Sequence, residues 1–187
     1  MDTIETKRLL LREWQPQDLA PFAAINQDPL VMEHYWIKSL TESETAAMIE
    51  RIQKNFAKYG FGLFACIVKE TSQFIGYVGL HVPTFTAHFT PAVEIGWRLA
   101  SSAWCKGYAT EAAYAVLKAA FEKYNLKEVV SFTVPMNQRS RRVMEKIGMT
   151  YNPKDDFCRP EIPLDSPLSH HVLYRITKEQ FMQSSHE

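Results

Sequence analysis

The stretch WCKGYATEAA, Trp104 to Ala113, joins a strand-like run to a helix-like run. Within it, Gly107 permits a backbone geometry or a close approach that a side chain would block, and Ala109 is also small. The first amides of a helix lack intrahelical partners, and the helix dipole places positive potential around them. Taken alone, the stretch therefore predicts a glycine turn into a helix whose first amides bind a phosphate or pyrophosphate.

Two other phosphate-binding motifs are excluded by the spacing. A P-loop requires G-x-x-x-x-G-K-[ST], whereas here Lys106 precedes Gly107 and no glycine stands upstream at the required distance. The dinucleotide fingerprint G-x-G-x-x-G is absent from the sequence as well. Neither a nucleoside triphosphate nor NAD is favoured as the ligand.

The composition indicates a soluble globular protein. With 187 residues, of which 46% are hydrophobic, we predict one domain over residues 1–187. The 21 Lys and Arg residues balance the 21 Asp and Glu residues, so we expect no nucleic-acid partner and no membrane partner. No segment approaches the roughly 18 apolar residues of a membrane span. A small ligand or a protein partner is favoured, with the chain as a monomer or homodimer.

The cysteines and histidines argue against disulfides and metal. Cys66, Cys105 and Cys158 are an odd, scattered set, which is typical of free thiols in a reducing compartment, and we predict a cytoplasmic protein. The six histidines form no H-x-x-x-H motif or Cys/His cluster. No metal is predicted.

The periodicity predicts an α/β fold (α+β by some schemes) with a mixed, twisted sheet of about seven strands flanked by helices. The stretch VEIGWRLA, residues 93–100, alternates in the manner of a strand with two unlike faces. One face is apolar, and the other carries an acid, a gap and a base: Glu94, Gly96 and Arg98. The other predicted strands are 7–14, the hairpin 61–69 and 74–82, 128–134, 149–155 and 170–176.

Helix signals separate these strands. Thr41 and Glu44 form a capping box at the start of a helix that Gly60 ends. Three further helices are predicted over 15–26, over 109–124, and from Asn137 to near Gly148, and Thr177 with Gln180 resembles one more capping box. The order strand, helix, strand in the middle of the chain predicts adjacent parallel strands.

Three blocks together carry a family resemblance. In order, VEIGWRLA (93–100), WCKGYATEAA (104–113) and NQRSRRVMEKIGM (137–149) resemble the GNAT superfamily of acetyl-CoA-dependent N-acetyltransferases. Within it they resemble the RimJ/RimL-type branch, which is similar to the ribosomal-protein N-terminal acetyltransferases and includes enzymes that act on protein N-terminal amines and on small amines. The similarity spans nearly the whole chain, because TKRLLLRE (6–13) resembles the opening strand of that branch. The resemblance implies the GNAT fold, with a splay between its fourth and fifth strands, and acetyl-CoA as the acetyl donor.

The resemblance also implies which residues bind acetyl-CoA. The family motif Q/R-x-x-G-x-G/A binds the pyrophosphate through backbone amides, and here Trp104 stands at the Gln/Arg position. That departure removes a polar side chain but no amide. The fourth strand and the helix after the fifth would hold the pantetheine arm. The implied cofactor-binding residues are Trp97, Arg98, Leu99, Lys106, Gly107, Tyr108, Ala109, Thr110 and Asn137.

Two catalytic residues are expected. Attack on a thioester requires a neutral amine, and we predict Glu94 as the general base, with a pKa raised by desolvation; the alternative is a solvated edge residue. The resemblance implies Ser140 as a proton donor to the leaving thiolate, a role that water could also fill. Asn137 caps the next helix, contacts the pantetheine arm, or does both. Met144 stands where other branches use a tyrosine acid, which excludes that acid here.

The acceptor is expected to be a primary amine, either a small molecule or a protein N-terminus. By resemblance, His34, Tyr35, Trp36, Phe85 and Phe89 would hold it, with the alternative that these aromatics belong to the core. Cys105 lies in the phosphate loop and not beside a histidine, so direct transfer in a ternary complex is favoured over an acetyl-enzyme. Two other functions stay open: a non-catalytic acyl-CoA-binding or sensing domain, and a protein-interaction domain.

Overall fold

The computed structural model describes residues 3–184, and its centre is a mixed sheet with helices on both faces. Its strands are β1 Ile4–Glu5, β2 Leu9–Arg12, β3 Leu63–Val68, β4 Gln73–His81, β5 Glu94–Leu99, β6 Glu128–Thr133, β7 Thr150–Tyr151, β8 Phe157–Cys158 and β9 His170–Thr177. Its helices are α1 Leu19–Gln27, α2 Pro29–Met32, α3 Glu42–Tyr59, α4 Tyr108–Glu122, α5 Gln138–Lys146 and α6 Lys178–Ser184. The spatial order is β1-β2-β3-β4-β5-β6-β9-β7, and β8 pairs with β9.

The α/β class is confirmed, but the strand number differs from the prediction. Residues 3–184 form nine strands, where about seven were expected. The two additional strands, β1 and β8, have two residues each, and two residues carry no recognisable period. The strand predicted over 149–155 is also shorter, because Pro153 begins a 3₁₀ turn directly after β7.

The residues predicted to cap the ends of the helices are confirmed. Thr41 and Glu44 form the predicted capping box, and Gly60 ends α3 in the left-handed conformation at φ 75°. Thr177 and Gln180 exchange the two hydrogen bonds of the box that starts α6. The predicted helix over 15–26 instead starts as a 3₁₀ turn, Pro16–Asp18, before α1. The four-residue α2 was not predicted.

The parallel pair β5 and β6 opens the sheet at its centre. Their register joins Glu94 to Val130, and Val130 N donates to the Val93 carbonyl at 2.9 Å. Ser131 Oγ donates to the Ile95 carbonyl at 2.9 Å, and beyond Ile95 the strands diverge. This is the splay that the family resemblance implied, and it leaves one backbone edge of β5 facing a cleft.

The two faces of the sheet carry different cores. On one face, Ile95 and Leu99 of β5 pack against the buried side of α4. On the other, Tyr77 of β4 packs against α1 and α3, together with Trp14 and Phe22. Alternation along β5 therefore sends Glu94, Gly96 and Arg98 to the second face. Within residues 3–184, no helix is long and apolar enough to cross a membrane.

Candidate active site

The start of α4 offers unpartnered amides. Gly107 is the N-cap residue and has φ 78°, a left-handed conformation that costs a glycine little. The first turn closes when Glu111 N donates to the Gly107 carbonyl at 3.0 Å. A glycine has no side chain with which to cap the helix, so the amides of Tyr108, Ala109 and Thr110 stay available to an anion.

The segment between β1 and β2 holds this loop in place. Arg8 donates from Nη1 to the Lys106 carbonyl at 2.8 Å and from Nε to Glu111 Oε2 at 2.6 Å, and Thr6 Oγ1 donates to Glu111 Oε1 at 2.6 Å. Partial burial works to raise the pKa of Glu111, but the bonds from Thr6 and Arg8 outweigh it and lower the pKa. The pairing of Arg8 with Glu111 was not predicted, because these partners are 103 residues apart in the sequence.

A cleft of about 400 Å³ extends from these amides along the open edge of β5. The predicted residues that line it are Trp97, Arg98, Leu99, Gly107, Tyr108, Ala109, Thr110, Asn137, Ser140, His34 and Tyr35. Lys106 is outside this set and instead offers its carbonyl to Arg8. Three cations that the sequence analysis did not single out also line the cleft: Arg139, Arg142 and Lys146. The cleft is therefore suited to a polyanionic ligand with an apolar portion.

Trp104, the departure from the family motif, links the loop to the strand. Its Nε1 donates to the Leu99 carbonyl at 3.0 Å, so the indole takes up a backbone acceptor at the end of β5. The guanidinium of Arg139 lies 4.2 Å from the centroid of the Trp104 ring. The tryptophan thus braces the loop and also holds one of the cations of the cleft.

Asn137 caps α5, as one of its two predicted roles requires. Its Oδ1 accepts from Ser140 N at 3.2 Å, and its Nδ2 donates to Thr133 Oγ1 at 3.0 Å. The capping role is confirmed, and contact with a cofactor stays a prediction. Met144 is buried in the core behind this helix.

Glu94 is buried beside a histidine on the second face of the sheet. Its side chain pairs across the strands with His81, and Glu94 Oε2 lies 3.2 Å from His81 Nε2. Only 8% of Glu94 is exposed, so the alternative of a solvated edge residue is wrong. Burial raises the pKa of Glu94 to about 8, although Arg159 works in the opposite direction.

His81, the partner of Glu94, was not among the predicted site residues. Burial, assisted by Arg159, lowers its pKa to about 4, and its Nδ1 is buried with no hydrogen-bond partner among residues 3–184. Burial thus favours the neutral form of both groups, so that at neutral pH the carboxyl group keeps its proton and the imidazole is uncharged. The available signal was a histidine at the end of a strand, but the register that pairs it with Glu94 is not readable from sequence.

Gly96 leaves space next to this pair. A Cβ built on Gly96 would have Glu94 Oε1 at 3.8 Å, and within residues 3–184 no other atom would come within 4 Å. The carboxyl group of Glu94 therefore reaches over open space on β5. Glu94 itself is not among the residues that line the cleft.

Arg98 lies farther along the same face and is also 8% exposed. Its Nη1 donates to Asn26 Oδ1 at 2.7 Å, and its guanidinium lies 4.1 Å from the centroid of the Tyr35 ring and 5.7 Å from that of Tyr77. Its Nε is buried and has no hydrogen-bond partner among residues 3–184.

The residues predicted to hold the acceptor separate into two groups. His34 and Tyr35 line the cleft, whereas Trp36 is exposed outside it. Phe85 and Phe89 pack in an aromatic cluster, with ring centroids 6.0 Å and 4.9 Å from that of Phe157. This packing fits the core alternative for the two phenylalanines. Within residues 3–184, no group of three His, Cys, Asp or Glu residues could hold a metal ion, and the expected absence of metal stays a prediction.

The chain is similar to known acetyltransferases in sequence and in fold. The family described as "Acetyltransferase (GNAT) domain" matches residues 8–150. The Bacillus subtilis protein named "Uncharacterized N-acetyltransferase YnaD" is 30% identical over 95% of this chain and 98% of its own length. The Aspergillus fumigatus "FsC-acetyl coenzyme A-N(2)-transacetylase" is 29% identical over 97% of this chain and 78% of its own length. The solved GNAT-family acetyltransferase from Bacillus anthracis has a TM-score of 0.78 and 30% identity, over 95% of this chain and 99% of its own.

Proposed function

The chain belongs to the GNAT acetyltransferase family, and from that premise we propose that it transfers the acetyl group of acetyl-CoA directly to a primary amine. One observation carries the proposal. The available amides that follow Gly107 and the free backbone edge of β5 lie along the same cleft. The chain is proposed to act as one domain over residues 1–187, of which 1–2 and 185–187 lie outside the described structure.

The residues of the cleft fit acetyl-CoA. The amides of Tyr108, Ala109 and Thr110 would bind its pyrophosphate, and Arg139, Arg142 and Lys146 supply positive charge around the same cleft. The backbone of Trp97, Arg98 and Leu99, together with Asn137, would hold the pantetheine arm. When bound there, acetyl-CoA supplies the activated thioester.

Glu94 and His81 supply the proton acceptor. An amine that enters as an ammonium ion has to lose a proton before it can attack, and Glu94 would take that proton at its carboxylate. His81, 3.2 Å away, acts as a positioning residue that orients the carboxyl group. Ser140 lines the cleft at the start of α5, and in this proposal it would give a proton to the departing thiolate, with water as the alternative.

The branch and the acceptor class are finer proposals. The RimJ/RimL-type branch is supported by TKRLLLRE, which includes β2, and by the pair Asn137 and Ser140 at the start of α5. Acceptors in that branch include small amines and protein N-terminal amines. We place the chain in the cytoplasm, without a nucleic-acid or membrane partner and as a monomer or homodimer.

Two measurements test the function together. Acetyl-CoA should raise the thermal midpoint, because a ligand that binds only the folded state stabilises it. A thiol-release assay across small amines, polyamines and N-terminal peptides should show turnover with at least one class. A shift without turnover on any amine would favour the non-catalytic sensor, and no shift at saturating acetyl-CoA would exclude both the enzyme and the sensor.

A further inference from the structure

Arg98, a buried arginine on the second face of the sheet, lacks a charged partner. Arg98 is more than nine-tenths buried, yet it forms no ion pair with a carboxylate among residues 3–184. Its partners are neutral: the amide oxygen of Asn26 and the faces of Tyr35 and Tyr77. Burial of an unpaired charge is costly, so a cation kept in this position calls for an explanation.

Arg12, in contrast, is neutralised by a carboxylate of the same chain. Arg12 donates from Nη1 and Nη2 to the two carboxylate oxygens of buried Asp18, at 2.7 Å and 2.9 Å. That bidentate pair satisfies the planar guanidinium fork and its charge together. Arg98 has one such bond, and it goes to a neutral amide.

One donor of Arg98 is unsatisfied. Asn26 engages Nη1, and on the other edge of the guanidinium Nε is buried with no hydrogen-bond partner within the described residues. Arg98 and the stacked Tyr35 both line the cleft. Trp97, the preceding residue, packs against the α4 core, so the arginine side chain faces away from the phosphate-binding helix.

We propose that the acceptor amine carries a carboxylate, and that Arg98 binds this carboxylate through Nε and Nη2. This inference rests on the proposed acetyl transfer and names the substrate class for it: amino acids, with the acetylated amine at one end and the carboxylate at the other. Asn26 holds the guanidinium in place through Nη1, and Tyr35 covers its face.

The spacing along β5 indicates which amino acids fit. Glu94 and Arg98 are on one face of the strand with Gly96 between them, and their Cα atoms are about 13 Å apart at the usual rise of a strand. The side chain of Glu94 shortens that span, because Glu94 Oε1 already reaches to 3.8 Å from the Cβ position of Gly96. An acceptor that lies over Gly96 thus has several bonds between its amine and its carboxylate, as in an ω-amino acid or a short peptide.

The test compares matched acceptors. Glycine, β-alanine, γ-aminobutyrate and ε-aminocaproate are each assayed for thiol release beside their primary amides, which keep the amine and the length but lose the charge. With wild-type protein, at least one of the longer acids should exceed its amide in kcat/KM by about ten-fold or more, since a site built for a polar group rejects an analogue without it. Equal values for every acid and its amide would overturn the proposal.

Arg98→Gln should bring this acid-to-amide ratio to about one, and Arg98→Lys, which keeps the charge but not the fork, should give an intermediate ratio. The ratio compares two substrates on one protein sample, so partial unfolding of a variant does not alter it. Arg51→Gln, which removes an exposed arginine on α3, should leave the ratio at its wild-type value. If Arg98→Gln raises the KM for acetyl-CoA and leaves the ratio intact, then Arg98 serves the cofactor and the proposal is wrong.

The failure of the proposed function gives a different pattern. If no amine is acetylated, the transferase proposal fails, but calorimetry of the same acids and amides with the coenzyme A complex still tests the site. Tighter binding of the acid than of its amide, lost in Arg98→Gln, would support the carboxylate site. Equal binding would overturn it.

Discussion

The proposed phosphate loop at the start of α4 and the proposed acceptor face of β4 and β5 are built by different means. The loop, Trp104–Thr110, offers backbone amides, and its conformation depends on one glycine and one helix end. The acceptor face, His81, Glu94 and Arg98, offers buried ionisable side chains whose properties depend on partners from other elements. We expect a backbone site to tolerate changes of side chain, such as Trp104 at the Gln/Arg position of the family motif. A site made of buried ionisable groups should tolerate fewer changes, because Glu94 lies 3.2 Å from His81 and Arg98 is held by Asn26.

The largest expected effect comes from the acceptor face. Glu94→Gln should lower kcat by about 10² to 10⁴-fold, the usual contribution of a general base, and should leave the acetyl-CoA thermal shift in place. Wild-type kcat should rise with pH through a step near 8, where the buried carboxyl group titrates, and the variant should lack that step. Steady-state thiol release from pH 6 to pH 9 measures both. Exposed Glu50→Gln on α3 is the control, and an equal loss of kcat in that variant would remove the base assignment.

The second effect is on stability. The pKa of Glu94 is about 8 in the folded chain against an ordinary 4.5, so between these values the folded state keeps a proton that the unfolded chain has released, and stability falls as pH rises. The lowered pKa values of His81 and His171 act in the opposite direction, but only between about 4 and 6.5. From pH 6.5 to 8, wild type should therefore lose about 2 kcal/mol of unfolding free energy relative to Glu94→Gln.

Urea unfolding of both proteins at the two ends of that pH interval measures the difference, again with Glu50→Gln as the control. If wild type and Glu94→Gln change in parallel, Glu94 does not hold a proton at neutral pH in the folded chain.

The smallest expected effect concerns the glycine turn at the start of α4. Gly107 and Gly60 have nearly the same φ, 78° and 75°. Gly107 starts α4 and lines the cleft, whereas Gly60 ends α3 and is not among the residues that line it. An alanine at either position costs about 1 kcal/mol of backbone strain. Both variants should lose that stability, and Gly107→Ala alone should weaken acetyl-CoA binding, by about five-fold, because the strain falls on the binding conformation. Calorimetric titration compares the two; equal acetyl-CoA affinity in both would show that the loop does not bind the pyrophosphate through this turn.

The same contrast explains what the sequence predicted. The turn at Gly107, the cap at Asn137 and the two faces of β5 are local patterns, and the structure confirms them. His81, Arg8 and the unpaired state of Arg98 were not predicted, because each depends on strand register or on contacts between distant parts of the chain. Phe85 and Phe89 illustrate the converse, since aromatic residues near an expected site pack with one another when the fold brings Phe157 to them.

The bonds from Thr6 and Arg8 to Glu111 connect ligand binding to the order of folding. Glu111 places a negative charge in the first turn of α4, where it repels a phosphate, and Arg8 offsets that charge while bonding the Lys106 carbonyl. Both bonds form only after the first strands have docked across a sequence separation of about a hundred residues. An intermediate with α4 formed and β2 undocked would thus have a helix end that disfavours the cofactor. Binding of acetyl-CoA at this helix end, as proposed, would therefore require the segment before β2 to be docked on α4.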